Sequence, residues 1–192
     1  MEIKILTSEQ VPQAAGLARG VFDYCLRNTI MDPQMVHAFE QYVHQDYLSG
    51  MIDEGHLVMW GAYEQETIVA VAAMQSEGHI TMLYVHPMYQ RRGIGKKLLL
   101  EMRKYAKNTY NLSMVTINAM PSWTSQYFEH RKFRRMNVAQ VPNNAYVSMQ
   151  ASSIQEIFYE KKPLSTGMVL GTAFAALGIC ILIVVVGLVN LL

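Results

Sequence analysis

Cysteine is scarce. Cys25 and Cys180 are the two in 192 residues, and the second lies in an apolar run that a disulfide partner would hardly reach. A disulfide framework is therefore excluded, and free thiols imply a reducing compartment. No group of Cys and His has metal-ligand spacing: His37 and His44 fall on one exposed or half-buried face of a predicted helix, not in a cluster. An excess of one charge is missing as well, with 16 Lys and Arg against 15 Asp and Glu, which argues against a nucleic-acid binder. The balance is local rather than uniform. Asp23, Asp32, Glu40, Asp46, Asp53 and Glu54 face one base, Arg27, over residues 23–54. Over residues 91–135 the sign reverses, with Arg91, Arg92, Lys96, Lys97, Arg103, Lys104, Lys107, Arg131, Lys132, Arg134 and Arg135 against Glu101 and Glu129. Such runs are ordinary solvated faces, or a phosphate-binding side and an amine-binding side of one site.

What is present centres on residues 80–107, ITMLYVHPMYQRRGIGKKLLLEMRKYAK. Ile80 to Val85 has the β-branched and aromatic content of a strand, and His86-Pro87 ends it because proline cannot donate to a ladder. From Ile94, the residues Leu98, Leu99, Met102, Tyr105 and Ala106 recur at helical spacing, with Lys97, Glu101 and Lys104 on the opposite face. Between strand and helix stands Gln90-Arg91-Arg92-Gly93-Ile94-Gly95. Two glycines there allow close backbone approach just where the first helical amides have no partner, an arrangement suited to an anion such as a pyrophosphate. A dinucleotide fingerprint requires a third glycine where Leu98 stands, and a Walker loop requires Ser or Thr where Lys97 stands. Both of those readings fail.

The order strand, Q-x-x-G-x-G, helix resembles the signature of the GNAT N-acetyltransferase superfamily, with Gln90, Gly93 and Gly95 in place. Leu83-Tyr84-Val85-His86-Pro87 resembles that family's strand ending, and Asn118 to Phe133 (NAMPSWTSQYFEHRKF) is similar to its later strand-helix segment. The resemblance covers residues 1–150 and implies an α/β (α+β) fold with a mixed, mostly antiparallel central sheet flanked by helices. The remaining segments fit the same order: a strand at Met1 to Leu6, helices at Val11 to Leu26 and Pro33 to Leu48, and a hairpin of His56 to Tyr63 with Thr67 to Met74. After the central helix come a strand at Leu112 to Ala119, a short helix at Ser122 to Arg131, and strands at Phe133 to Val138 and Ala145 to Met149.

Residues 151–166 read as a juxtamembrane linker. From Gly167 to Leu192 no charged residue occurs, and the run exceeds the about 20 residues needed to cross a bilayer, so a transmembrane helix is predicted. Lys161 and Lys162 precede it and no charge follows, which places the domain in the cytoplasm and the carboxyl terminus outside. Gly167, Gly171 and Ala175 form a small-residue stripe on which two such helices would pair as a homodimer.

The resemblance implies acetyl-CoA as acyl-donor substrate, an amine acceptor and no metal. The pyrophosphate would lie on the backbone of Gln90, Arg91, Arg92, Gly93, Ile94, Gly95 and Lys96. The pantetheine arm would lie on the edge of Leu83, Tyr84 and Val85, with the Val85 amide as oxyanion donor and Asn118 beside the arm. Counting back from Phe133 to the family's acid tyrosine gives Phe128, whereas counting forward from Asn118 gives Tyr127, which is taken as the general acid and a donor contact. Lys132 replaces the family's glycine. For the general base, Glu77 and His79 share strand parity, and the acidic segment suggests a cationic acceptor near Asp46 and Asp53. A catalytically inactive acyl-CoA-binding module, acting as a membrane-tethered sensor, is the alternative.

Overall fold

The computed structural model describes residues 1–28, 33–137 and 146–153, together with the backbone of Ile183–Val184. In chain order the elements are β1 (Glu2–Ile5), α1 (Val11–Cys25), α2 (Pro33–Tyr42), α3 (Gln45–Asp53), β2 (Leu57–Glu64), β3 (Thr67–Gln75), β4 (His79–Val85), α4 (Ile94–Tyr110), β5 (Met114–Ala119), α5 (Ser125–Glu129), β6 (Arg134–Arg135), β7 (Val147–Ser152) and β8 (Ile183–Val184). The strands form one sheet in the order β1-β2-β3-β4-β5-β7-β6, with β8 beside β4. The β4–β5 pair is parallel and the others are antiparallel.

Each face of the sheet has its own core. On α1, Val11, Ala14, Ala15, Ala18, Val21 and Phe22 are buried at spacings of three and four, as an amphipathic stripe requires. With Phe39, Tyr42, Val43 and Leu48 they pack on Met59, Val71, Ala73, Met82 and Tyr84. On the other face, Ile94, Leu98, Leu99, Met102 and Ala106 of α4 pack on Ala70, Ala72, Ile80, Leu83, Val115 and Ile117, together with Phe128 and Phe133. At about 25 cal/mol per Å² of apolar surface removed from water, these two stripes are the main stabilisation of the fold.

The helix expected over Pro33 to Leu48 is two helices, with His44 extended between them (φ −64°, ψ 132°). The apolar period explains the break. Phe39, Tyr42 and Val43 occupy one stripe, and a continuous helix would place Asp46 on it next. Restarting at Gln45 leaves Asp46 exposed in the first turn of α3, where the helix dipole favours it, and returns Leu48 to the core. The helix expected over Ser122 to Arg131 reduces to a 3₁₀ turn followed by α5, and the strand expected over Phe133 to Val138 reduces to two residues.

Two features of the sheet position the site. A bulge at Thr81 shifts the β3–β4 register, so that Ala73 pairs with Met82 and Met74 with Ile80. Beside it, β4 pairs with β5 at His79–Thr116 and Ile80–Ile117, and the two strands then part. Beyond the parting, Met82 and Leu83 are paired by Val184 and Ile183 of β8. Those two residues are extended, unlike the helix expected there. Residues 151 and 152 of the expected linker belong to β7, which pairs with β5 as far as Ser152; the rest of the predicted span, the linker from Ile154, and the Gly167, Gly171 and Ala175 stripe lie outside the described residues. Among the described residues no helix is long and apolar enough to cross a membrane.

Candidate active site

After Val85 the chain turns through a 3₁₀ segment, Pro87–Tyr89, capped by His86, whose Nδ1 accepts from the Met88 amide at 3.3 Å. Gln90 Nε2 donates to the Val85 carbonyl at 3.0 Å. The glutamine side chain therefore clamps the strand end to the turn and leaves the backbone to face a ligand. Arg91 (φ 64°) and Gly93 (φ 79°) take left-handed conformations, and Gly93 is the residue from which α4 starts. The Lys97 amide is the first to bond back, to the Gly93 carbonyl, so the amides of Ile94, Gly95 and Lys96 have no intrahelical partner.

These amides face a cavity of about 430 Å³ whose walls include Leu83 and Val85 of β4, Tyr89, Arg91, Gly95 and Lys96 of the turn, and Tyr127, His130 and Arg131 around α5. Gly95 and Tyr127 meet closely. A Cβ on Gly95 would lie 2.6 Å from the Tyr127 hydroxyl and 3.9 Å from a Val85 methyl. The Arg131 guanidinium stacks on the Tyr127 ring at 4.7 Å, and its Nε is buried without a hydrogen bond among the described residues. Burial raises the Tyr127 pKa, and Arg131 partly offsets that rise by charge and hydrogen bonding. Arg92 stacks on Tyr89 at 5.0 Å.

The expected site residues thus divide. Leu83, Val85, Gln90, Arg91, Gly93, Ile94, Gly95, Lys96 and Tyr127 come together around one cavity. Tyr84 contributes backbone alone, since its side chain points to the opposite face beside Phe39 and buries its hydroxyl unpaired. Phe128 is fully buried in the core between Tyr127 and Phe133. Asn118 departs from expectation: it lies on the sheet face opposite α4, where it accepts from Ser148 Oγ at 2.8 Å. Glu77 departs as well. It is exposed in the turn before β4, at the far end of the strand from Val85, because the strand begins at His79.

His79 bonds through Nδ1 to the Thr116 hydroxyl at 2.8 Å, where β4 and β5 part. Burial lowers its pKa below the ordinary imidazole value, and Glu77 offsets this in part. Among the described residues, the acids of residues 23–54 do not converge on the cavity, and Asp32 lies outside them. Asp23 and Glu40 pair with Arg27, Glu40 also with Arg19, Asp46 with His44, and Glu54 with His56, all at the surface. Sequence reasoning counted Arg131 in the basic run without placing it in the site; the signal for that was its i+4 spacing from Tyr127.

Among solved structures, the PaiA N-acetyltransferase of Thermoplasma acidophilum, determined with coenzyme A, superposes with a TM-score of 0.66 at 16% identity, over 79% of this chain and 99% of that one. A GCN5-related N-acetyltransferase of Rhodopseudomonas palustris gives 0.64 at 19% identity, over 79% and 94%. A GNAT-family acetyltransferase of Staphylococcus aureus Mu50 gives 0.62 at 14%, over 79% and 99%. No curated protein matches the chain. Residues 27–153 match the model of the acetyltransferase (GNAT) domain, and the chain belongs to that family.

Proposed function

We propose that the protein is an N-acyltransferase that moves an acetyl group from acetyl-CoA to a primary amine by direct attack in a ternary complex, on the cytoplasmic face of a membrane. One observation carries this reading: a single cavity joins the unpaired amides of Ile94 to Lys96 to the edge of β4 where it leaves β5. The first feature suits a pyrophosphate and the second an extended amide-bearing arm. The buried Arg131 Nε in the cavity wall, which has no hydrogen-bond partner among the described residues, supplies a charged donor for the pyrophosphate.

In the proposed reaction the acceptor nitrogen attacks the thioester carbonyl, the carbon–sulfur bond breaks, and the thiolate takes a proton. A β4 backbone amide at Val85 or its neighbours stabilises the oxyanion, and Tyr127 returns the proton to sulfur. An alkylammonium with a pKa above about 10 must first lose a proton. His79 suits this better than Glu77, because it is half-buried and hydrogen-bonded to Thr116 where the strands part; it stands six residues before Val85 on β4, so it takes the proton through a chain of waters rather than directly. Mass spectrometric detection of an acetylated amine, with turnover lost in Tyr127→Phe, tests the assignment.

A specific observation favours a second reading. The Tyr127 hydroxyl rests against Gly95, and Phe128, to which the count back from Phe133 leads, is buried in the core. Tyr127 then holds the donor rather than protonating it, and the protein is an acyl-CoA-binding module. In that case Tyr127→Phe raises the donor Kd, whereas the acid role predicts a fall in kcat at unchanged donor KM.

Anchoring is supported by the uncharged run from Gly167 to Leu192 and by Lys161 and Lys162 before it. Pairing through Gly167, Gly171 and Ala175 belongs to the same proposal. Flotation of the full chain with liposomes, and protease protection of its carboxyl terminus in sealed vesicles, are the checks.

A further inference from the structure

The sheet face opposite α4 changes character at the parting of β4 and β5. Toward β1 it is covered by α1, α2 and α3, and its side chains are apolar. On the other side of the parting it is polar and half-open. The pairing register sets four side chains across one rung: His79 beside Thr116, Thr116 opposite Gln150, and Gln150 opposite Arg134. On the next rung Asn118 faces Ser148 and accepts from it at 2.8 Å. Thr116, Ser148 and Gln150 are partly accessible and Arg134 is exposed. Among the described residues no carboxylate pairs with Arg134, and no carboxylate stands on either rung. Glu77, which acts on His79 electrostatically, is outside them in the turn.

From β4 to β6 is three strand spacings, about 14 Å, shortened at the two ends by the reach of an imidazole and a guanidinium. One end carries a neutral base, the middle offers hydroxyl and amide groups able both to donate and to accept, and the far end is cationic. A second positive charge on the acceptor would meet Arg134, whereas a negative one would be matched by it. We propose that this rung is the acceptor surface, and that the acceptor is an amine bearing an anionic group at its other end. The proposal rests on the acyltransferase reading above and gives its substrate class, the reverse in charge of the cationic acceptor suggested by the acidic segment.

The test uses the full chain, acetyl-CoA and three acceptors that share a terminal amine and a six-carbon chain: aminohexanoate, aminohexanol and diaminohexane. The proposal predicts that kcat/KM falls in that order, by about tenfold between the ends, as a charge-assisted bond implies. Arg134→Gln should collapse the ranking, and Gln150→Ala should raise the KM of all three, while donor KM and melting temperature stay unchanged in both. Preference for diaminohexane, or a ranking that survives Arg134→Gln, overturns the proposal and leaves the acyltransferase reading standing. If acetyl-CoA binds but no amine is acetylated, that reading and this one fall together.

Discussion

Gly93 and Gly95 stand two apart in one motif, yet they are glycines for different reasons. Gly93 has open space around it and a φ of 79°, so any side chain there is strained by backbone conformation alone. Gly93→Ala should lower stability by about 1–2 kcal/mol. Gly95 has an ordinary helical backbone, and its constraint is the Tyr127 hydroxyl. Gly95→Ala should weaken donor binding about tenfold, and adding Tyr127→Phe should restore most of it, because the next atom of that ring is 3.6 Å away, an ordinary contact. Additive losses in the double variant would refute the assigned role of the hydroxyl. His79 gives the pH prediction. Its pKa is lowered by burial, so the neutral base persists below the ordinary imidazole range, and kcat/KM should hold down to a pH below about 6.5 and then fall. The same shift destabilises the fold on acidification: an unfolded chain binds the proton more readily, so the stability present above pH 6.5 is lost below it. His79→Gln should remove both effects in pH-rate and pH-melting profiles. At this scale the sequence exposed the turn because glycine and glutamine spacing is local. Whether Tyr127 or Phe128 faces the cavity depends on helix phase, and Glu77 and His79 differ by where the strand starts, neither of which spacing alone decides.

Among elements, α4 does most to hold the site in place. Its apolar stripe fixes its distance from the sheet, and buried Arg103 fixes its rotation. That guanidinium donates to the Ser152 carbonyl through both Nε and Nη2 and to the Arg131 carbonyl at 3.4 Å, and it lies 5.9 Å from the Phe133 ring. It thus ties α4 to β7 and to the segment after α5 that forms the far cavity wall. Arg103→Met leaves those carbonyls without the cation, and a loss of about 2–3 kcal/mol is expected from charged hydrogen bonds of this kind. Thermal unfolding should report it. The sequence could not supply this contact, because a basic residue inside an apolar helical stripe reads as a surface position. The strands β1 to β5 were legible as short apolar runs between turn signals, and α1 by its clean helical period. The division of α2 from α3 was legible in principle, since Asp46 falls on the buried stripe of any continuous helix through Phe39 and Tyr42. The shortness of β6 was not, because pairing length depends on the partner strand.

Over the whole molecule, the sheet separates the two proposed ligand sides. Turn, cavity and Arg131 lie on the α4 side, whereas the polar rungs lie on the other, and the parting of β4 and β5 connects them. That parting is where β8 pairs with Met82 and Leu83, on the edge assigned to the donor arm. In the proposed complex the donor arm takes the backbone groups that β8 pairs, so β8 must leave β4 both for the donor to bind and for the apolar run to cross a membrane. Val184→Pro, which removes a ladder donor, should raise the acetyl-CoA affinity of the detergent-solubilised chain several-fold, and an unchanged affinity would show that the two do not compete.

The central claim is that the Q-R-R-G-I-G turn and its cavity hold acyl-CoA. Calorimetric titration of the full-length chain in lipid nanodiscs with acetyl-CoA addresses it directly, alongside Gly93→Asp and Gly95→Asp. Micromolar binding by the folded wild type, abolished in both folded variants, is the predicted result. Binding that survives both substitutions, or a folded wild type that binds nothing, would contradict it and reduce the turn to a helix cap.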